Sequence, residues 1–209
     1  MKKLFAGMLL FSLAASGTAA AAPSLNGPTG LINTPSADVV QNEDFSLGYN
    51  HLKQGEVLNF NIGIMKNVEM GISSFDPEAG SRQNRLNAKW NVIPETVVTP
   101  GLAVGVEDIS DRGQRSAYIV GSKALPLGVR VHYGLGDGRY DGVFGGIEKT
   151  INPLGVLTGD NAFPATTLIA EYDGDDFNVG ARLSLVSGVK IDAGWQDMKD
   201  FYVGFSITK

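Results

Sequence analysis

Several segments of this chain alternate apolar with polar residues, and six charged side chains lie at the polar positions of these segments. They are the first candidates for chemistry. Arg130 and His132 lie two residues apart, so an extended backbone would point both to the same side. Charges that face a narrow interior either form a constriction that selects anionic or sugar solutes, or pair with one another and fill the space. The second interpretation is favoured because unpaired interior charge is costly. The candidate lumen-lining residues are Glu69, Lys89, Arg130, His132, Arg182 and Asp192.

Catalysis is not expected from this sequence. A hydrolase needs a nucleophile and a base within hydrogen-bond reach, and only His51 and His132 could serve as a histidine base, neither within a serine motif. The absence of cysteine removes thiol nucleophiles, thiolate metal sites and lipid attachment to an N-terminal cysteine. The Asp-Gly pairs at 137–138, 141–142 and 173–174 lack the carboxylate ladder of a calcium loop and are typical of hairpin turns. We therefore expect no catalytic residue, no cofactor and no metal.

The elements that would position the charged residues are β-strands. Residues 58–64 (LNFNIGI) alternate large apolar side chains with Asn and Gly, and residues 68–73 (VEMGIS) alternate again after a turn at 66–67. This pattern predicts a β-hairpin. A continuous aliphatic face opposite a face of small polar residues is typical of a membrane barrel, with lipid outside and a narrow polar interior.

Similar alternation continues to the last residue and predicts an all-β, antiparallel transmembrane β-barrel of about 12 strands, of the outer-membrane type. Glycine contributes 27 of 209 residues, well above the usual ~7%. The facing of the sixth strand, over residues 116–122, is ambiguous. The long connection between residues 148 and 165 is either a loop or a strand missed in the count.

The first 43 residues lie outside the predicted barrel. Lys2 and Lys3, the apolar run at 4–13 and the alanine tract at 19–22 indicate a signal peptide over residues 1–21. Its removal would take the two lysines and change the formal net charge from -5 to -7. Residues 22–43 are expected to be a lead-in that packs against the first strand, with a plug inside the lumen as the alternative, and residues 44–209 the barrel.

The surface and ends of the barrel suggest its surroundings. Aromatic residues near strand ends could form girdles at the membrane interfaces. The terminal residues 205–209 (FSITK) partly resemble the signal read by barrel-assembly machinery. The expected partners are outer-membrane lipid and the assembly machinery, while the acidic balance argues against nucleic acid. The expected location is the bacterial outer membrane. The girdle candidates are Phe45, Trp90, Tyr172, Phe177, Trp195 and Phe201.

Three stretches together resemble the YjbH-type outer-membrane proteins linked to exopolysaccharide production. They are residues 30–37 (GLINTPSA), 143–148 (VFGGIE) and 170–174 (AEYDG), the last followed by Asp176 and by residues 178–180. The chain is far shorter than the large members of that family. The motif positions are Gly30, Leu31, Thr34, Pro35, Gly145, Gly146, Glu148, Glu171, Tyr172, Asp173 and Gly174.

The resemblance implies a barrel that assists polysaccharide export or display and carries no catalytic site. It also implies polysaccharide or polysaccharide-secretion proteins as partners. Two other functions stay open on the residues alone. One is a passive, narrow porin-like channel or a structural barrel without a polysaccharide role, and the other is a secreted soluble β-protein. A pore would conduct in planar bilayers, an accessory protein would alter surface polysaccharide when deleted, and a soluble protein would be released by osmotic shock.

Overall fold

The computed structural model describes residues 22–151 and 164–209. The predicted signal peptide and most of the 148–165 connection lie outside these residues. Within the described part of the chain, no helix is long and apolar enough to cross a membrane. Two 3-10 turns, Pro126–Gly128 and Gly138–Tyr140, accompany the strands.

Twelve strands form one closed antiparallel barrel, in which every strand pairs with its neighbours in sequence and β1 closes the ring against β12. The predicted fold class and strand number are therefore confirmed. The strands are β1 (Phe45–Leu52), β2 (Gly55–Met65), β3 (Val68–Pro77), β4 (Gln83–Ile93), β5 (Gly101–Glu107), β6 (Ser116–Leu125), β7 (Val129–Gly136), β8 (Gly142–Ile151), β9 (Ala165–Tyr172), β10 (Phe177–Val186), β11 (Val189–Gln196) and β12 (Asp200–Thr208).

The barrel has two distinct ends. We call the end where β1 begins and β12 finishes the lower end, and the opposite end the upper end. The described lower connections include two two-residue turns, at 66–67 and 187–188. The longest described upper connection is residues 108–115, and β7 and β8 are joined above by residues 137–141. Closure removes every free sheet edge, which is what a strand-built membrane span requires.

The alternation predicted for the first hairpin holds in three dimensions. Leu58 and Phe60 are exposed on the outer surface, whereas Asn59 and Asn61 are completely buried inside the barrel. The same apolar outer surface extends around the barrel and suits lipid. It includes Ile62, Ile64, Met70, Ile72, Leu86, Val104, Ile119, Leu135, Ile147, Leu168, Ile191, Val203, Phe205 and Ile207.

Exposed aromatic residues cluster near the strand ends. At the upper end the rings of Tyr172 and Phe177 are 5.0 Å apart, and those of Trp195 and Phe201 are 5.6 Å apart. Near the lower end, Phe45 and Trp90 are exposed on the outer surface. Indole and phenol rings favour the boundary between lipid and water, so these positions fit the predicted girdles.

Candidate functional site: a filled lumen

The most distinctive feature of the barrel is the segment inside it. Residues 22–40, which we call the plug, are almost all buried and lie in the lumen as an irregular coil. The coil is folded on itself by isolated bridges from Pro23 to Thr29 and from Gly30 to Pro35. The favoured expectation, a lead-in packed against the first strand, describes one contact only: Pro23 packs beside Gly48 of β1, whereas the plug also bonds to β3, β6, β9 and β10. The alternative of a plug inside the lumen is what the structure shows.

Glu171 of β9 holds the turn at the top of the plug. Its carboxylate accepts hydrogen bonds from the backbone N–H groups of Ile32, Asn33 and Thr34 at 3.1, 2.6 and 3.2 Å. The Thr34 hydroxyl donates a further bond at 2.7 Å. An irregular segment has no strand partners for its N–H groups, and a buried unpaired N–H is unfavourable. One carboxylate therefore satisfies a complete turn of the plug.

Glu69 of β3 does the same on the opposite wall. It accepts bonds from the Thr29 N–H at 2.9 Å, from the Thr29 hydroxyl at 2.5 Å and from the Val40 N–H at 2.9 Å. Lys89 of β4 lies 3.6 Å from the same carboxylate and donates to the Thr29 carbonyl at 2.6 Å. Both charged side chains are almost fully shielded from water, so their mutual contact and the plug replace hydration.

The carbonyl groups of the plug are bound by donors from the barrel wall. Arg182 of β10 reaches the carbonyls of Gly30 and Leu31 at 3.2 and 3.0 Å while its Nε bonds to Asp192 at 2.5 Å. The inward amides act in the same way at 2.6–2.8 Å. These amide contacts are Asn59 to the Ser24 carbonyl, Asn61 to the Gly27 carbonyl, and Asn91 to the Ala37 carbonyl.

Apolar side chains complete the packing of the plug. Leu25, Leu31 and Ile32 form a cluster with wall residues that include Leu52 and Tyr202. A second cluster joins Ala37 of the plug to inward residues of β5, β6 and β8. Burial of these side chains adds a non-directional contribution to the polar contacts. The members of the second cluster are Ala37, Ala103, Tyr118, Val120, Tyr140 and Phe144.

Asn33 lies at the top of the plug and is bound on every polar group. Its side-chain amide donates to Asp173 at 2.7 Å and accepts from Gln196 at 2.8 Å. Its carbonyl accepts from Arg139 at 2.5 Å. Arg139 belongs to the β7–β8 connection, whose next residue, Tyr140, is fully buried. The upper end of the plug is thus covered by loop residues.

Arg139 and Tyr140 are themselves fixed by Glu107 at the end of β5. Arg139 Nε and the Tyr140 hydroxyl donate to that carboxylate at 2.6 and 2.7 Å. The Arg139 guanidinium also lies 4.1 Å from the centre of the Tyr140 ring, a favourable cation–π arrangement. Glu107, Arg139 and Tyr140 were not among the site residues predicted from the sequence. Glu107 could have been found, because it alternates with residues 101, 103 and 105 and therefore points to the same, inward side of β5.

Asp173, in the connection after β9, has an environment that favours its charged form. Burial alone would raise its pKa, but hydrogen bonds from the Asp176 N–H, from the Asn33 and Asn178 side chains and from the Asp175 N–H outweigh burial. The pKa of Asp173 is therefore lowered below its usual value of 3.8. The ionised carboxylate stabilises the closed upper end.

This lowered pKa predicts how the upper closure responds to acid. A carboxyl group whose pKa falls on folding contributes stability that is complete above pH 3.8 and is lost as the pH drops through the folded value. We expect hydrogen exchange at the Asp176 N–H, which donates to Asp173 at 3.0 Å, to be unaffected by this titration between pH 7 and 5, and to accelerate relative to strand amides below pH 3.8. In Asp173→Asn protein, exchange at this amide should already be faster than in the wild type at pH 6 and should change less as the pH is lowered. If the wild type and Asp173→Asn responded equally to pH, this role of Asp173 would be contradicted.

The structure places the side chains of all six candidate lumen residues inside the barrel. Two ion pairs form among them, between Lys89 and Glu69 and between Arg182 and Asp192. Arg130 instead binds Asp38 of the plug, and His132 bonds to Ser122 at 2.8 Å. Five of the six are buried, and Arg130 is partly accessible. The arrangement corresponds to a paired network bonded to the plug.

The three stretches that carry the family resemblance meet in space. Glu171 holds residues 32–34, and a Cβ added at Gly146 would lie 2.4 Å from the Leu31 side chain. A Cβ added at Gly30 would lie 2.1 Å from the Thr34 carbonyl oxygen. These glycines therefore permit close packing of the plug turn on itself and on β8. Glu148 lies 3.5 Å from His132, outside the contacts with the plug turn.

A closed barrel of 12 strands with an apolar outer surface and a polar lumen defines a β-barrel of the outer-membrane porin type. Residues 24–158 match the family model YjbH, described as "Exopolysaccharide biosynthesis protein YbjH". The chain belongs to this family, which confirms the resemblance. The matched region includes most of the plug.

Comparison with solved structures supports the fold. KdgM porin in complex with disordered oligogalacturonate matches with a TM-score of 0.51 and 13% sequence identity, over 79% of this chain and 97% of that chain. A second structure of KdgM porin matches with a TM-score of 0.52 and 12% identity over the same shares. At these identities the similarity concerns the fold. No curated protein sequence matches this chain.

Proposed function

We propose that this protein is an outer-membrane barrel that assists the production or export of an exopolysaccharide, and that its resting state is closed. Membership of the YjbH family supports the polysaccharide role. The observation that carries the closed state is the plug, which bonds to opposite walls of the lumen through Glu69 and Glu171. A continuously open pore would need this path free. The expected partners are outer-membrane lipid, barrel-assembly machinery and components of polysaccharide secretion.

Location and closure are tested first. Cell fractionation should recover the protein in the outer membrane, with an electrophoretic mobility that changes on boiling, as for a closed barrel. In planar bilayers the purified full chain should show no sustained ionic current. Release by osmotic shock without a mobility shift would contradict the membrane location. A steady current from the full chain would favour the rival function, a passive narrow channel. The similarity of the fold to KdgM porin supports this second candidate.

The polysaccharide role is tested separately in cells. Deletion of the gene should reduce or alter surface polysaccharide, and restoration of the wild-type chain should reverse the change. A deletion strain with unchanged polysaccharide under producing conditions would contradict the role while leaving the closed barrel intact.

We also propose that the barrel acts without catalysis. Among the described residues, a serine–histidine contact is formed by Ser122, whose hydroxyl contacts His132 Nδ1 at 2.8 Å and also accepts the Ala37 N–H at 2.8 Å. Ser122 is completely buried against the plug, whereas a nucleophile must reach its substrate. A fluorophosphonate probe should therefore leave the native protein unlabelled. Labelling that disappears in Ser122→Ala would overturn this proposal.

A further inference from the structure

At the lower end, where the plug leaves the lumen, an ion pair attaches a side chain of the plug to the barrel wall. Asp38 forms a two-point contact with the Arg130 guanidinium, with Nη2 to Oδ1 at 2.8 Å and a second bond from Nη1 to Oδ2. Arg130 Nη2 also donates to Glu95 at 2.9 Å. Two-point Arg–carboxylate contacts are strong and directional. These three residues join the plug, β7 and the β4–β5 turn.

Water can reach this contact, in contrast to the attachment at Glu69. The Asp38 and Glu95 side chains are 29% and 22% exposed, compared with 2% for Glu69. A partly hydrated ion pair can exchange its partners for water at modest cost, whereas a dry carboxylate that loses its donors is strongly destabilised. The lower contact is therefore expected to break more readily than the attachment at Glu69.

Among residues 22–151 and 164–209, the contacts that cover the plug lie at its upper end, which points to movement toward the lower end. Above the plug, Asn33 is bound by Arg139, Gln196 and Asp173, and the fully buried Tyr140 lies in the covering loop. Below it, the exposed residues 41–43 connect directly to β1. Glu43 has a φ of 68°, a turn conformation, and its N–H bonds to the Gly63 carbonyl. The connection to β1 is thus fastened to Gly63 of β2, and the plug above it would move relative to this fixed point.

Glu95 links this contact to the lower surface of the barrel. Its carboxylate accepts the Ala124 N–H at 2.6 Å, and Lys123 donates to the carbonyls of Thr96 and Val97 at 2.6 and 2.9 Å. The β4–β5 turn is therefore fastened to the lower end of β6 around Glu95. Displacement of this turn would alter the position of the carboxylate that supports Arg130.

We propose that Asp38, Arg130 and Glu95 form a latch that controls release of the plug toward the lower end of the barrel. This inference rests on the proposed function in taking the plug as the closure of the lumen. When the latch breaks, residues 37–39 separate from the wall first, and the anchors at Glu69, which also holds the Val40 N–H, and at Glu171 follow. The latch thereby sets how often the barrel opens.

The test uses the full chain and compares two neutralised carboxylates. Asp38→Asn keeps the size of the side chain and removes its charge. Asp200→Asn is the matched control, because Asp200 forms an exposed contact with Lys53 at 2.6 Å at the upper end. The first readout is hydrogen exchange at the N–H groups of residues 32–34, which lie at the opposite end of the plug from Asp38. The second is the frequency of current steps in planar bilayers.

A disulfide gives a closed reference. A Cβ added at Gly101 would lie 3.4 Å from the Ala37 Cβ, close to the separation found in disulfides, and the native chain has no cysteine. Oxidised Ala37→Cys/Gly101→Cys protein, which we call the locked protein, should hold residue 37 on β5. All variants are first checked for the boiling-dependent mobility shift of a folded barrel.

We expect Asp38→Asn to increase exchange at residues 32–34 and the frequency of current steps by about tenfold, corresponding to loss of one partly hydrated charge pair. Asp200→Asn should match the wild type in both measurements. When Asp38→Asn is introduced into the locked protein, neither the exchange at residues 32–34 nor the frequency of current steps should increase. Two results for Asp38→Asn would overturn the latch. One is faster exchange confined to residues 37–40, and the other is exchange of the plug amides only at the rate of the strand amides, which would mean that the plug opens only when the barrel unfolds. A current that persists in the locked protein would instead contradict the closed state itself.

Discussion

Replacement of Glu171 with glutamine is expected to increase detachment of the upper plug by roughly a hundredfold. The carboxylate accepts three backbone N–H groups and one hydroxyl of the plug, and glutamine offers a single acceptor oxygen and an NH2 group that would oppose these donors. Leaving even one or two buried N–H groups unpaired costs about 3 kcal/mol, and each 1.4 kcal/mol is a factor of ten. Hydrogen exchange at Ile32, Asn33 and Thr34 measures the change.

Glu56→Gln is the matched control for this substitution. Glu56 lies near the upper end of β2, its side chain is 52% exposed, and its contacts with His51 at 3.8 Å and with Tyr49 are to β1. Its exchange profile should be that of the wild type. If Glu171→Gln and Glu56→Gln gave the same exchange at residues 32–34, Glu171 would have no part in holding the plug.

Lys89→Met is expected to reduce the free energy of unfolding of the barrel by about 3–5 kcal/mol. The substitution removes the cation beside Glu69 and the donor to the Thr29 carbonyl, and leaves a carboxylate without its countercharge in a dry environment. Lys53→Met is the control, since Lys53 pairs with Asp200 where its side chain is 70% exposed. Exposed pairs contribute little to stability.

Denaturant unfolding of detergent-folded protein measures both variants. The mobility shift on boiling shows whether each variant reaches the barrel state before the titration. Equal, small changes for Lys89→Met and Lys53→Met would mean that the lumen pair is hydrated and that the plug does not exclude water from it.

The fold was predictable because apolar and small polar residues alternate within most strands, and this alternation indicates which side of each strand faces lipid. Residues 58–64 alternate so regularly that inward Asn59 and Asn61 follow from the sequence alone. The sixth strand was ambiguous for a physical reason. Tyr118 and Val120 are apolar yet face inward, where they pack with Tyr140 and Phe144. An apolar inward face makes sense only once the lumen is known to be filled.

The plug could not be placed from its own pattern. Residues 22–40 lack periodicity, since their hydrogen bonds run to residues as distant as Glu171. Local sequence does not encode such partners. The inward carboxylates were a usable signal, because Glu69 and Glu171 on the lumen face require donors that a barrel of small polar residues supplies poorly. Asp38 carried no comparable signal, as its role depends on its position opposite Arg130.

Disulfide formation in Ala37→Cys/Gly101→Cys protein tests the position of the plug most directly. If residues 22–40 lie in the lumen as described, mild oxidation of the folded protein should join the two cysteines nearly completely, as measured by mass spectrometry of peptides. Ala37→Cys/Gly180→Cys is the control, because the plug atom near Gly180 belongs to Ile32. It should keep free thiols. Two free, maleimide-reactive thiols in the first protein would place residue 37 outside the lumen and contradict the account.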